Sequence, residues 1–138
     1  MGKEIIMDYV TLLKEKKLAA TPQRLEIINL LSLYGHLSID ELYKLLVVKF
    51  SSISLATVYK NIHIMTAKLF LTELPIPNRK NVYELIKETH SHVVCSKCDE
   101  ILDVDIDTSA LFNEAAQISH FKLQTSSIVF NGRCPKCA

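Results

Sequence analysis

An α+β fold in two parts, a helical first half and a smaller mixed α/β second half, is predicted by three observations. Apolar residues recur every three or four positions through most of the first half. The prolines there fall only at segment boundaries. Past residue 86 the pattern gives way to short strands around a Cys/His cluster. A chain of 138 residues with an apolar share of 49% suits one compact domain or two small ones and supports an ordinary core.

The first helix is marked by the stripe Ile5, Tyr9, Leu12 and Leu13. Thr21 caps a second, with Pro22 at its first position, where the missing N–H costs nothing, and Leu25, Ile28 and Leu31 turned inward. Gly35 ends it. Ser38 with Glu41 three residues on is a capping-box pattern opening a third helix that buries Leu42, Leu45 and Leu46. After a joint at Ser51 to Ser54 a fourth helix sets Leu55, Val58, Tyr59, Ile62, Met65 and Leu69 on one core face. Its opposite face is expected to carry Ala56, Thr57, Lys60 and Asn61, small and polar groups suited to base edges and phosphates, though a plain solvated face has the same composition.

LTELPI and NVYELI then bracket Pro77, Asn78, Arg79 and Lys80, as two strands around a turn do. Helices followed by a basic-tipped hairpin describe a winged helix-turn-helix, placed at residues 1–84. Residues 85–138 form the second part: the Cys/His cluster, a strand ILDVD, a helix from about Thr108 to Ser119 with Leu111, Phe112, Ala115 and Ile118 inward, and a strand through Ile128, Val129 and Phe130. The joint between the parts is short, around residues 84 to 90.

The net charge of +1 hides an asymmetry. Residues 1–81 carry 11 Lys+Arg against 7 Asp+Glu, a net +4, whereas residues 82–138 carry 5 against 8, a net −3. A basic half joined to an acidic half fits a phosphate-facing part and a cation-binding part. No window approaches the roughly 18 apolar residues of a membrane span, and the start MGKEIIMDYV has charges where a secretory apolar region would lie. The expectation is a cytoplasmic protein with no membrane partner.

All four cysteines fall in two C-x-x-C pairs, Cys95 with Cys98 and Cys134 with Cys137, separated by 35 residues. Each tight turn presents two sulfurs to one side of an ion, so two turns close the tetrahedral thiolate shell that Zn²⁺ prefers. A closed four-sulfur site has no open position, and its expected role is structural. A thiol redox enzyme or an iron–sulfur cluster is the competing reading, but redox chemistry needs one exposed pair of low pKa. His90 and His92 alternate in an extended stretch just before Cys95, so their rings project to one side. With Asp103 on the next strand they make a two-histidine, one-carboxylate set suited to Fe(II), Mn(II) or Zn(II). His63 and His120 stand singly and are read as structural.

SLATVYKN with ATPQR upstream, then HSHVVCSKC and the final CPKC, resemble the ferric uptake regulator family of metalloregulators, in the same order and spacing and over nearly the whole chain. The resemblance implies a winged-helix domain followed by a small α/β dimerisation domain, and a metal-dependent DNA-binding repressor rather than an enzyme. It implies a homodimer reading an inverted-repeat operator in double-stranded DNA. The family's regulatory site maps onto His36, Glu84, His90, His92 and Asp103, all nitrogen or oxygen donors suited to Fe(II) or Mn(II), with structural zinc on the four cysteines. DNA contacts map onto Ser54, Thr57, Tyr59, Lys60 and Asn61, with Arg24 on a phosphate. Family members often carry a lysine where this chain has Ala19, and Lys16 or Lys17 is the nearest substitute.

Within the family, Asp103 and the presence of Thr89 and Ser91 beside His90 favour the peroxide-sensing branch, whereas Glu84 favours iron sensing; zinc or manganese sensing is a further alternative. In the peroxide reading, iron-catalysed oxidation strikes His36 or His90, and metal and DNA are then released. Two readings of other classes are a cytosolic thiol redox enzyme and a zinc-stabilised interaction module without DNA.

Overall fold

The structure, a computed structural model, describes residues 3–138, with side chains from Asp8 onward. The chain divides into two compact units, residues 1–87 and 88–138.

The first unit runs α1 (Lys3–Glu15), α2 (Pro22–Tyr34), α3 (Ile39–Lys49), α4 (Leu55–Ala67), β1 (Leu71–Leu74) and β2 (Val82–Leu85). In α1, Leu13 is fully buried and Tyr9 and Leu12 pack partly against the core; the Ile5 side chain lies outside the described residues. Thr21 caps α2 by accepting from the Arg24 N–H, with Pro22 at the first turn. Gly35 ends the helix at φ 84°, a left-handed backbone that glycine adopts without a Cβ penalty. Ser38 and Glu41 close the reciprocal capping box at the start of α3. Leu42 and Leu46 are buried there, with Leu45 packed partly against them.

The α3–α4 pair, joined through residues 50–54, is the helix-turn-helix. Val58, Ile62 and Met65 of α4 are fully buried, and each large apolar side chain so placed contributes about 1.5–3 kcal/mol. Two expectations for α4 are corrected. Leu69 does not extend the core face: the helix ends at Ala67, Leu69 turns the chain at φ 64° and stays 65% exposed, and Phe70 fills the core instead. Asn61 does not face solvent; at roughly 100° per residue it lies about 60° from Val58 and about 40° from Met65, at the edge of the buried stripe, and it is 6% exposed. Leu55 and Tyr59 sit at the exposed edge of the apolar stripe.

Strands β1 and β2 pair antiparallel, Leu71 opposite Leu85 and Leu74 opposite Val82, around the basic turn. Leu37 adds a single antiparallel bridge to Tyr83 on the other edge of β2. At the turn Lys80 pairs with Asp40 of α3.

The second unit runs β3 (Ser91–Cys95), β4 (Ile101–Val104), α5 (Ser109–Ser119) and β5 (Val129–Gly132). Its sheet has the order β4-β3-β5, with β3 antiparallel to β4 and parallel to β5. One expectation fails here. Along α5 no residue is buried: Leu111 and Ile118 are 59% and 75% exposed, Ala115 is exposed, and Phe112 is half-buried. The stripe has the helical spacing predicted, but nothing among the described residues buries it. No helix among the described residues is long and apolar enough to cross a membrane.

Candidate metal centres and nucleic-acid interface

The four cysteines converge in the second unit. Cys95 closes β3, and the register that pairs Cys95 with Gly132 delivers the Cys134 turn from the end of β5 to the same place. The four sulfurs all lie within 4.8 Å of one another, and Cys98 Sγ is 3.7 Å from Cys134 Sγ. A tetrahedron of thiolates roughly 2.3 Å from one ion has edges of roughly 3.8 Å, so the spacing fits a four-sulfur zinc site. Backbone N–H groups of Cys134 and Cys98 aimed at Cys95 Sγ, 3.4 Å away in each case, hold that thiol down to about 6. Hydrogen bonding with Cys134 is the main cause pushing the Cys137 thiol up to about 12. Four such thiols ionise together only when a cation offsets their mutual repulsion.

A second donor set lies on the same sheet. His92 and Asp103 are direct cross-strand partners. His92 Nε2 and His90 Nε2 stand 3.3 and 3.5 Å from the same Asp103 oxygen, and the two rings are 4.5 Å apart. Donors about 2.1 Å from a common ion sit roughly 3.0–3.5 Å from one another, so these distances suit coordination as well as hydrogen bonding. The sequence pattern of alternating histidines predicts this set.

The first unit holds a third pair that spacing alone does not reveal. The bridge between Leu37 and Tyr83 sets the neighbouring residues side by side, and His36 Nε2 lies 2.8 Å from Glu84 Oε2. Glu84 is buried, an expensive position for a carboxylate unless it is paired.

On the reading helix, Ser54 caps α4 through the Thr57 N–H, and Ala56, Tyr59 and Lys60 are exposed. His63, also exposed, meets the Tyr59 ring edge-on with centroids 6.0 Å apart. Arg24 is engaged within the unit: its Nε donates to Asn61 Oδ1 at 3.1 Å and its Nη1 to the Ala19 carbonyl at 2.9 Å. Lys16 Nζ donates to the Lys68 carbonyl at 2.8 Å and lies over the Phe70 ring. Lys17 is exposed on left-handed backbone. His120 occupies the left-handed position that ends α5.

A helix-turn-helix with a hairpin wing, followed by a unit bearing a four-thiol cluster and a harder His/His/Asp set, defines a winged-helix protein built around metal centres. The chain matches the Ferric uptake regulator family over residues 15–131. It is 27% identical over 140 residues to the peroxide operon regulator of Bacillus subtilis, covering 100% of this chain and 97% of that protein. Among solved structures, the Campylobacter jejuni peroxide stress regulator is similar at 34% identity and a TM-score of 0.71, covering 93% of this chain and 98% of the other. The Vibrio cholerae ferric uptake regulator is similar at 30% identity and 0.75, covering 91% and 99%. The chain belongs to the ferric uptake regulator family, and it is a metal-dependent repressor of that family.

Proposed function

We propose that this repressor responds to peroxide, and that one regulatory cation takes donors from His36, Glu84, His90, His92 and Asp103. The observation that carries the reading is the pair of nitrogen and oxygen donor sets, His36 with Glu84 in the first unit and His90, His92 and Asp103 in the second. Such donors suit Fe(II) or Mn(II), whereas the four thiolates suit structural Zn²⁺. Residues 1–84 serve as the DNA-reading domain and residues 85–138 as the zinc-stapled, metal-sensing dimerisation domain. The unburied apolar stripe of α5 supports a homodimer. Ser54, Thr57, Tyr59 and Lys60 face duplex DNA in the major groove, and two-fold symmetry sets an inverted-repeat operator.

Fe(II), when bound, would lend one electron to cleavage of the peroxide O–O bond and regain it from the imidazole radical, so that both electrons come in the end from the ring. The net change on the protein is one oxygen added to an imidazole carbon of His36 or His90, with the other peroxide oxygen leaving as water. An oxidised imidazole is a poorer donor, so the ligand set weakens and the link between metal and DNA affinity is lost. The protein consumes its own side chain, so it acts once as a switch and does not turn over as an enzyme. Its setting is the cytoplasm. The B. subtilis and C. jejuni relatives are peroxide regulators, and Asp103 supports the same branch through the family pattern. Glu84, with the V. cholerae relative, supports iron sensing as the second reading.

Mass spectrometry of iron-loaded protein after peroxide treatment tests the choice. One added oxygen on the His36 or His90 peptide, with loss of DNA binding, is expected. Unmodified peptides with DNA binding retained would leave iron sensing.

A further inference from the structure

We infer that Arg24 and Asn61 together are positioning residues that fix the axial rotation of the reading helix, and that neither contacts nucleic acid. The inference rests on the reading of α4 as the DNA-facing helix. Asn61 is 6% exposed at the edge of the buried stripe beside Met65, out of reach of a ligand on the outer face. A buried amide is costly unless it is hydrogen-bonded, and here the Arg24 guanidinium supplies the bond at 3.1 Å. Arg24 is itself fixed twice more. Its backbone N–H is held by Thr21 Oγ1 at 3.3 Å, and its Nη1 donates to the Ala19 carbonyl at 2.9 Å. The guanidinium fork thus ties the start of α2 and the preceding joint to the middle of α4.

Apolar contacts such as those of Val58, Ile62 and Met65 resist separation but tolerate a roll, because they are non-directional. A hydrogen bond to a rigid planar fork is directional. On a helix whose side-chain tips lie roughly 5–6 Å from the axis, a roll of about 20° moves those tips by roughly 2 Å. That displacement exceeds the tolerance of a base-edge hydrogen bond. Tyr59 and Lys60, two and one residues before Asn61, would lose register together. Lys16 holds the far end of α4 through the Lys68 carbonyl, at the negative end of the helix dipole.

Full-length, zinc-replete, Mn(II)-loaded protein is tested on a duplex that the wild type selects from a random pool and on an unselected duplex of equal length, between 50 and 200 mM salt. Arg24→Lys, which keeps the charge and removes the fork, and Asn61→Ala are each expected to cut the preference for the selected duplex about tenfold. Affinity for the unselected duplex and the salt slope should stay as in the wild type, and the double variant should lose no more than about a further twofold. Asn61→Asp, which keeps the acceptor and guards against a folding defect, is expected to retain the preference; its loss would overturn the inference. So would an Arg24→Lys variant with normal preference beside an Arg24→Ala variant that weakens both duplexes alike and lowers the salt slope by about one, the signature of a phosphate contact. If the wild type selects no duplex, the reading of α4 falls first and the inference with it.

Discussion

From Leu13 to Tyr83 the first unit buries a continuous apolar cluster drawn from all four helices and the hairpin, whereas in residues 88–138 Val94 and Cys95 are the only buried apolar side chains among the described residues. The helical unit offsets its conformational entropy by area removed from water. The second unit is too small to do so with a sheet and one unburied helix, and domains of that size recruit metals or a second copy. Its ordered features are donors: four thiols at one end of the sheet, and two imidazoles and a carboxylate further along. One sequence therefore contains two routes to stability, apolar burial in the first unit and donor sets suited to cations in the second.

The largest expected effect that can break this contrast is loss of the thiolate cluster. Structural zinc sites contribute apparent energies on the order of 10–16 kcal/mol, so Cys134→Ser should abolish zinc binding and the cooperative unfolding of the second unit. The helical circular dichroism of the first unit should persist. A second unit that still melts cooperatively without zinc would show that its core suffices after all.

Next in size is the α5 face. Ile118 is 75% exposed in the single chain, and a symmetric interface counts each change twice. Ile118→Glu should weaken dimerisation by about 2–4 kcal/mol, read by sedimentation across protein concentration. An unchanged dissociation constant would place the interface elsewhere. The smallest effect sharpens the other side of the comparison: Ser38→Ala removes the capping box of α3 and should cost the first unit about 1 kcal/mol in thermal unfolding, with zinc content untouched.

Local chemistry explains which features the sequence exposes. Thr21, Pro22, Gly35, Ser38 and Glu41 act on their own neighbours, so the helix limits in the first unit follow from them directly. The cysteine pairs and the alternating histidines are similarly short-range signals. The pairing of His36 with Glu84 depends on one bridge between residues 37 and 83, a long-range event that no local pattern encodes; only the family resemblance joined them. Periodicity does not mark where a helix stops, so Leu69 fits the stripe by spacing, while the left-handed turn there hands the core position to Phe70. Asn61 is polar, which suggests the outer face, yet its angle on the helix sets it beside Met65 at the edge of the core. The stripe of α5 has the right spacing, but spacing marks an apolar face without saying what covers it, and none of the described residues buries it.

The central claim is that a single cation is shared by donors of both units. Mn(II) titration followed by electron paramagnetic resonance on zinc-replete wild type, His36→Ala and Asp103→Ala tests it most directly. The account predicts that each substitution, though made in a different unit, weakens the same single Mn(II) site by at least about tenfold while leaving zinc in place. A His36→Ala protein that binds Mn(II) as tightly as the wild type would contradict it.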